Sequence, residues 1–537
     1  MRILFKNAPS TWPHRLALLF FLLIVFGPFA SLTADTISFL FKGSGHGLGL
    51  ALPAGRRLSL FIHSIGLALS VTAGGTVLGI LAGAALWRWR TRAGFYLRWV
   101  AVLLFAVPPY VHALAWMTVI NAMGVALRPL GFHPVSPNGW IVAWWVEVMA
   151  LMPIGIGMTL LGLESVDTRL LEAARVMRPE ADSFLKIALP LAKPLILAGA
   201  GFMFLISLVD YTVPSLFQVN VYALEIFAEY SAGNEPATAL LLAFPLILTT
   251  ILVLTFSQSQ LRRAALKPLW HIRPWPVTPG RPAWLRWTQR LALALAATQI
   301  LVPLLSLTLS IGTWTNMTAA TDSAGREIFF TFRISLLTAG IALPAALAAA
   351  RELTKAKASS KFWWFLVTSP LALPAPLIGI GLITMWNRSL PFEVYGSSIM
   401  PILACLARFT PLAAIVLFAQ LRRIDPLLLD AARIFQTGLF RAWSQIHFPM
   451  IAPGLLASAC IVFALSAGEL GASLLVAPPG QATLTMRIYN YLHYGTSERV
   501  AGLCLIMTFC ALCTGLLAAF TLRGWRHLFP RSSKRWI

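Results

Sequence analysis

Long apolar segments recur along the whole chain and limit what it can fold into. Each is close to the roughly 20 residues that a helix needs to cross about 30 Å of hydrocarbon. Because lipid offers no hydrogen-bond partners to the backbone, segments of this length must be helical. The sequence therefore predicts an all-α, polytopic transmembrane helical bundle. Twelve spans are predicted, at 16–33, 58–86, 97–120, 139–163, 189–216, 239–257, 290–311, 328–350, 362–386, 396–419, 449–477 and 500–523.

The charged residues are few and are sorted by side of the membrane. Only 11% of residues are charged, against roughly 25% in a soluble protein. The net charge of +23 could indicate nucleic-acid binding. However, most of the 42 Lys and Arg fall in the alternate loops that face one side, as the positive-inside rule expects of cytoplasmic loops. We therefore predict no nucleic-acid partner, a multi-pass plasma-membrane protein and both termini in the cytoplasm.

The first apolar segment has a second interpretation. Residues 15–33 could be a cleaved signal peptide, because Arg15 precedes the apolar run and small residues follow it. The run is long for that role, and cleavage would leave an odd number of spans. A retained first helix is favoured.

A polar motif occurs twice, about 258 residues apart. The first copy is Glu172, Ala173, Ala174 and Arg175, followed by Leu189-Pro190, and the second is Asp430, Ala431, Ala432 and Arg433, followed by Phe448-Pro449. The match extends beyond the motif, because Pro153 and Pro411 precede the two copies at the same spacing, and Asp210 and Glu469 follow the two prolines at the same spacing. A period of half the chain predicts two similar bundles in one polypeptide.

The predicted domains follow from this repeat. Residues 1–257 and 290–537 form two six-helix halves related by a pseudo-twofold axis. Residues 258–289 are rich in Pro and Arg and are predicted to be an extended cytoplasmic linker.

Both copies of the motif lie in predicted cytoplasmic loops and suit a short docking helix. The paired alanines give high helix propensity and a small face. Glu172 and Asp430 are expected in the first helical turn, where an acid is favourable. Arg175 and Arg433 lie three residues on, on the same face. Pro190 and Pro449 are expected to mark the turn into the next membrane helix.

The sequence carries no catalytic pattern. It has no Gly-x-x-x-x-Gly-Lys-Ser/Thr loop for ATP, no His-x-x-x-His pair and no cysteine spacing typical of a metal site. No catalytic residue, metal site or cofactor is predicted, and the chain is not expected to be an enzyme.

Glu-Ala-Ala, followed by Leu-Pro about 17 residues later in a cytoplasmic loop, resembles the EAA loop of ABC importer permeases. Two such loops in one chain resemble the fused permeases of the ferric-iron and thiamine importer group. The stretch Gly468–Leu475 and the residues that follow it are also similar to that group. The resemblance implies a bacterial inner-membrane permease subunit. Its partners would be two copies of an ABC ATPase subunit, which hydrolyses the ATP, and an extracytoplasmic solute-binding protein.

Ferric iron is the favoured solute under this resemblance, with thiamine or another small polar or cationic solute possible. A twelve-helix secondary transporter is the alternative, since it too has two halves. That class needs ion-coupling sites near the middle of the membrane and has no need of two EAA loops.

The motif departs from the family pattern in one respect. The family has a glycine six residues after the acid, where this chain has Arg178 and Gln436. Pro179 and Gly438 stand nearby and are expected to make the turn.

Four charges within the predicted spans are singled out as candidate pathway or gate residues: Glu147, Asp210, Arg408 and Glu469. A charge in hydrocarbon is costly and usually faces a cavity or a partner. Asp210 and Glu469 are equivalent in the repeat, so they are expected to face each other across a central pathway, either as a gate or as structural groups. Arg408 takes the place of Ala150 and is expected to pair with an acid such as Glu147.

Two external segments, 217–238 and 478–499, are equivalent in the repeat. They suit a docking surface for a binding protein, although Tyr is also enriched at the membrane–water interface. The residues singled out are Tyr222, Glu225, Tyr230, Arg487, Tyr489, Tyr491 and Tyr494.

Overall fold

The computed structural model describes residues 12–42, 47–88, 98, 107–130, 138–177, 179–265, 283–355, 359–387, 393–422, 424, 447–494 and 497–528. These residues form helices joined by turns, and the described part of the chain contains no strand. Eleven of its helices are long and apolar enough to cross a membrane. A bent pair, Lys361–Ala372 and Ala375–Trp386, gives a twelfth span if its halves are counted together. The prediction of an all-α polytopic bundle is confirmed.

The described helices of the first half run in chain order as follows: α1 Trp12–Phe41, α2 Arg56–Arg88, α3 Pro109–Leu127, α4 Trp140–Glu164, α5 Thr168–Met177, α6 Glu180–Ser183, α7 Leu189–Val209, α8 Thr212–Leu216, α9 Tyr222–Gly233 and α10 Pro236–Ala265. Those of the second half are α11 Ala283–Ile311, α12 Trp314–Ser323, α13 Gly325–Thr354, α14 Ser359–Thr368, α15 Ala375–Trp386, α16 Ile399–Leu421, α17 Phe448–Ala467, α18 Ser473–Val476, α19 Leu484–Tyr494 and α20 Ser497–Leu528.

The same helix pairings occur in both halves. In the first half α2, α4 and α7 pack against one another and α10 packs on α7; in the second half α13, α16 and α17 pack against one another and α20 packs on α17. Small residues let the helices approach closely, as is usual where helices meet in lipid. A Cβ added to Gly79 on α2, for example, would lie only 2.6 Å from the carbonyl carbon of Gly155 on α4.

The first helix of each half packs against the opposite half. Helix α1 lies against α13, α15 and α16, and α11 lies in the corresponding way against α2, α3 and α4. Phe21 and Val25 of α1 are buried in the core of the second half. The two halves are therefore interlocked through their outermost helices.

Prolines break the membrane helices where the halves meet. Helix α15 begins after Pro374, whose ψ of 140° is extended, and the two parts of this span are bent by 97°. Helix α3 begins in the same way after Pro108, with ψ of 141°. Within the predicted span 97–120, the described residues from Pro109 onward belong to α3, and Pro108 before them is extended because the residue before a proline is disfavoured in the helical region.

Several predicted boundaries were wrong. The predicted spans 189–216 and 449–477 both end early, at Val209 and Ala467, and a short helix follows each break. The predicted linker 258–289 is helical at both ends, because α10 continues to Ala265 and α11 starts at Ala283. Arg262 and Arg263 lie in the last turn of α10. Cations are favourable there because the C-terminus of a helix carries a partial negative charge. Residues 266–282 lie outside the described part of the chain.

Candidate functional site

Helix α5 carries the first copy of the repeated motif. It is ten residues long, lies between the membrane helices α4 and α7, and packs on α6 and the turn that follows α6. Leu171 is 1% exposed and belongs to the core beneath the helix. On the outer side, Val176 is 87% and Met177 86% exposed. Leu171 thus anchors the helix, while Val176 and Met177 present apolar side chains outward.

Glu172 and Ala173 are exposed, and Ala174 is half-buried. The prediction that Glu172 lies in the first helical turn was wrong, because the helix begins at Thr168 and Glu172 is its fifth residue. Asp167 immediately precedes the helix, at a position where an acid side chain can accept from the first free N–H groups. The sequence does carry a signal for a helix start at this point, because Ser165 and Asp167, residue types that often precede a helix, stand just before the apolar residues Leu170 and Leu171.

Helix α5 ends at Met177 and α6 starts at Glu180. Pro179 lies directly before α6, and its carbonyl accepts the N–H of Ser183 at 3.0 Å. The expectation that Pro179 makes the turn stays a prediction. Pro190 does not mark a turn, contrary to the prediction. It is the second residue of α7, which follows directly on a π-helical turn, Phe184–Ala188. The wider turn accommodates a residue that lacks an N–H.

Part of the predicted docking motif cannot be placed. The side chain of Arg175 and residue Arg178 lie outside the described part of the chain, as does the whole second copy: Asp430, Ala431, Ala432, Arg433, Gln436 and Gly438. Those predictions stay predictions. The described residue directly before α17 does resemble the segment before α7. His447 is π-helical there, as Phe184–Ala188 are before α7.

The two equivalent acids have the same local role. Asp210 follows the last residue of α7 and its carboxylate accepts the N–H of Thr212 at 2.9 Å and the Thr212 hydroxyl at 2.6 Å. Glu469 follows the end of α17, and its Oε1 accepts the N–H of Ala472 at 2.8 Å. Each acid therefore lies at the end of a membrane helix, and its carboxylate accepts a backbone N–H of the short segment that follows.

Arg408 pairs with Glu469, which is 4% exposed. The expectation that an acid neutralises Arg408 holds, but Glu147 is not that acid. Glu147 instead accepts a hydrogen bond from the Ser207 hydroxyl on α7. The reason is geometric: Arg408 on α16 faces the end of α17 in its own half, whereas Glu147 on α4 faces α7 in the other half.

The structure nevertheless brings the four membrane charges into one region. Asp210 lies within electrostatic range of both Glu147 and Arg408. The ring of Tyr211 joins the two halves, because a Cβ at Gly471 would lie 3.7 Å from Cε1 of Tyr211 and 3.7 Å from Oε1 of Glu469. Tyr211 therefore lies where the two halves are in contact, and the expectation that Asp210 and Glu469 face each other across a pathway stays a prediction.

The two external segments form helices α9 and α19. Tyr222 and Tyr230 are buried rather than displayed, so they do not belong to an exposed docking surface. Tyr222 donates its hydroxyl to the Leu242 carbonyl at 2.8 Å, and burial raises its pKa to about 12.

Ion pairs hold these two helices to the bundle. Glu225 of α9 binds Arg56 of α2 at 3.0 Å, next to a cleft of about 360 Å³ that Arg57 and Leu52 also line. Arg487 of α19 binds Glu327 of α13, and its Nη2 donates to the Tyr491 hydroxyl at 2.9 Å. Tyr489 lies within electrostatic range of Tyr211. The side chain of Tyr494 lies outside the described residues.

Comparison with known proteins places this arrangement in a class. Residues 75–265 match the family model of the binding-protein-dependent transport system inner membrane component. This stretch contains α5 and two of the acids, Glu147 and Asp210. The match supports the predicted class, a multi-pass inner-membrane permease of an ATP-binding-cassette importer.

Curated relatives are also permeases. The chain is 38% identical over 89 residues to PhnU of Salmonella typhi, assigned to a 2-aminoethylphosphonate transport system; the match covers 17% of this chain and 31% of PhnU. It is 26% identical over 196 residues to the spermidine/putrescine permease PotC of Escherichia coli K12, covering 36% of this chain and 70% of PotC. For the putrescine permease PotI of the same strain, identity is 23% over 176 residues, covering 32% of this chain and 60% of PotI. None of these three names a secondary transporter or an iron system.

Proposed function

We propose that this chain is the transmembrane permease subunit of an ATP-binding-cassette importer, with two permease halves fused in one polypeptide. The observation that carries the proposal is α5. A short helix anchored by buried Leu171, with Val176 and Met177 exposed, is suited to dock in a groove of another protein. Movement of such a partner would be transmitted to α4 and α7, between which α5 lies.

The proposed domains are 1–257 and 290–537, joined by 258–289. The recurrent helix pairings and the reciprocal packing of α1 and α11 support two equivalent halves. Each half would dock one copy of a separate ATPase subunit, through Glu172 to Arg178 in the first and Asp430 to Gly438 in the second. Both docking elements, and both termini, would then face the cytoplasm.

A solute-binding protein would dock on the opposite face, on the ends of α9 and α19. Exposed charged groups there support this assignment, including Arg56, whose side chain is 71% exposed, and Glu229, whose side chain is 39% exposed. The buried tyrosines would hold the helices in place rather than contact the partner.

The solute is proposed to be a small amine. Polyamine and 2-aminoethylphosphonate permeases are among the relatives, and their named solutes share an ammonium group. Ferric iron, favoured from the sequence, finds no support among these relatives, so we propose the amine in its place.

The docking role can be tested by charge reversal. Glu172→Lys changes an exposed position, where substitutions alter the free energy of unfolding by about 0.5 kcal/mol or less. We expect normal membrane levels but loss of ATPase binding at one of the two sites, and the same for Asp430→Lys. The measurement is the amount of ATPase that co-purifies with the chain, expected at two copies for the wild type.

The matched control is Asp322→Lys, an exposed acid on α12, which should retain both copies. A single ATPase bound to the wild-type chain, or full binding by both the Glu172 and Asp430 variants, would count against the proposal.

A further inference from the structure

The charge balance differs between the two halves at the place where their broken helices meet. In the second half, one acid and one cation are present: Glu469 is bound to Arg408 and to the N–H of Ala472. In the first half, Ala150 stands in the place of Arg408, and Glu147 stands in the place of Cys405. The first half therefore carries two acids and lacks the equivalent cation.

The polar atoms of the first half are only partly satisfied. Glu147 is 2% exposed, and its Oε1 has no hydrogen-bond partner among the described residues, while its other oxygen accepts from Ser207. Tyr211 is also 2% exposed, and within the described part of the chain its hydroxyl has no partner. This hydroxyl belongs to a ring that stacks on Phe227 at 5.6 Å and lies within electrostatic range of Asp210, Glu469 and Arg408.

Unpaired polar groups at this depth are costly. A buried carboxylate is stable only when a cation or several hydrogen bonds compensate for its lost hydration. Asp210 has such hydrogen bonds, whereas Glu147 has one. A ligand that supplies positive charge and N–H donors would satisfy Glu147, Asp210 and the Tyr211 hydroxyl together.

We propose that Glu147, Asp210 and Tyr211 form a binding site for an ammonium group of the transported solute, on the first-half side of the pathway. The inference rests on the proposed function and goes further by naming residues and charge preference. Glu147 and Asp210 contribute carboxylates, and Tyr211 contributes its hydroxyl oxygen as an acceptor.

The same charges select among amines. With Arg408 already bound to Glu469, the acids of the first half favour a solute with two ammonium groups and no anion. A phosphonate carries negative charge at neutral pH and would be repelled by these acids. A diamine should therefore bind more tightly than an aminophosphonate.

Direct binding to the purified permease–ATPase complex in nanodiscs tests the site without relying on the binding protein. The probe is radiolabelled putrescine, measured with and without nucleotide, and 2-aminoethylphosphonate is the competitor. Glu147→Gln keeps the size of the side chain and its acceptor for Ser207, and Asp210→Asn keeps an acceptor for Thr212. Tyr211→Phe removes only the hydroxyl.

We expect saturable putrescine binding whose Kd rises about tenfold in Glu147→Gln and in Asp210→Asn, equivalent to about 1.4 kcal/mol for each. Tyr211→Phe should have a smaller effect of about threefold. 2-Aminoethylphosphonate should compete at least about tenfold less well than unlabelled putrescine. The control Asp322→Asn on α12 should bind like the wild type, and a thermal unfolding curve for each variant checks that it is folded.

The outcomes separate the two proposals. A chain that neither binds an ATPase nor supports its ATP hydrolysis would overturn the proposed function. A complex that hydrolyses ATP would overturn the inference alone if it shows no saturable putrescine binding, equal binding in folded Glu147→Gln and Asp210→Asn variants, or stronger competition by the aminophosphonate.

Discussion

The two halves use equivalent acids for the same backbone purpose but surround them with different charges. Asp210 and Glu469 each end a membrane helix and accept N–H groups of the short segment that follows. Glu469 is then neutralised by Arg408 from a third helix, whereas the position equivalent to Arg408 is Ala150. The backbone role of the acid is thus local, whereas the presence of a paired cation depends on one side chain from a neighbouring helix.

Helix packing shows a second difference of the same kind. Gly79 and Gly155 bring α2 and α4 into backbone contact in the first half. In the second half, Ala346 of α13 and Ala413 of α16 are both fully buried in the core. The halves share a topology, and we expect the central helices of the first half to approach more closely than those of the second half, because a glycine has no Cβ.

The largest expected effect comes from removing the cation of the second half. Arg408→Met leaves the Glu469 carboxylate buried without its partner, which should lower the free energy of unfolding by about 3–5 kcal/mol. Thermal unfolding of the purified protein measures this loss. Adding Glu469→Gln should restore much of the stability, because no buried charge then remains. If Arg408→Met is as stable as the wild type, the charge contrast between the halves is wrong.

A smaller effect is expected at the glycine contact of the first half. Gly79→Ala should cost about 1–3 kcal/mol, because its Cβ would overlap the backbone of Gly155. Gly340→Ala on α13 is the matched control, since nothing lies within 4 Å of its Cβ position. That substitution should be neutral or stabilise the helix by about 0.5–1 kcal/mol. Equal unfolding temperatures for the two variants would show that the central helices approach no more closely in the first half.

The smallest expected effects concern the external ion pairs. Arg56→Ala should change the free energy of unfolding by less than about 0.5 kcal/mol, because the Arg56 side chain is 71% exposed. Arg487→Ala should cost about 1 kcal/mol, since Arg487 and Glu327 are both about 20% exposed and Tyr491 accepts a further bond. Unfolding at two salt concentrations checks the ranking, with the Arg56 pair the more sensitive to salt. A larger loss for Arg56→Ala would reverse this part of the comparison.

The sequence by itself determined the class of fold and the equivalence of positions. Span-length apolar segments predict membrane helices because the cost of unpaired backbone in lipid depends only on local composition and length. The repeat likewise matches Asp210 with Glu469 by spacing alone. Asp167 is a local sequence signal for the start of α5, because an acid often directly precedes the first residue of a helix. The repeated motif instead suggested that the helix starts near Glu172.

Only the tertiary structure decided which charges pair and where the membrane helices break. Arg408 lies 61 residues from Glu469 in sequence, and nothing in the sequence distinguishes Glu469 from Glu147 as its partner. The choice depends on which helix ends face each other after α1 and α11 have crossed to the opposite halves. Ion pairing is a contact of a few ångströms between distant segments, so it follows from packing rather than from composition.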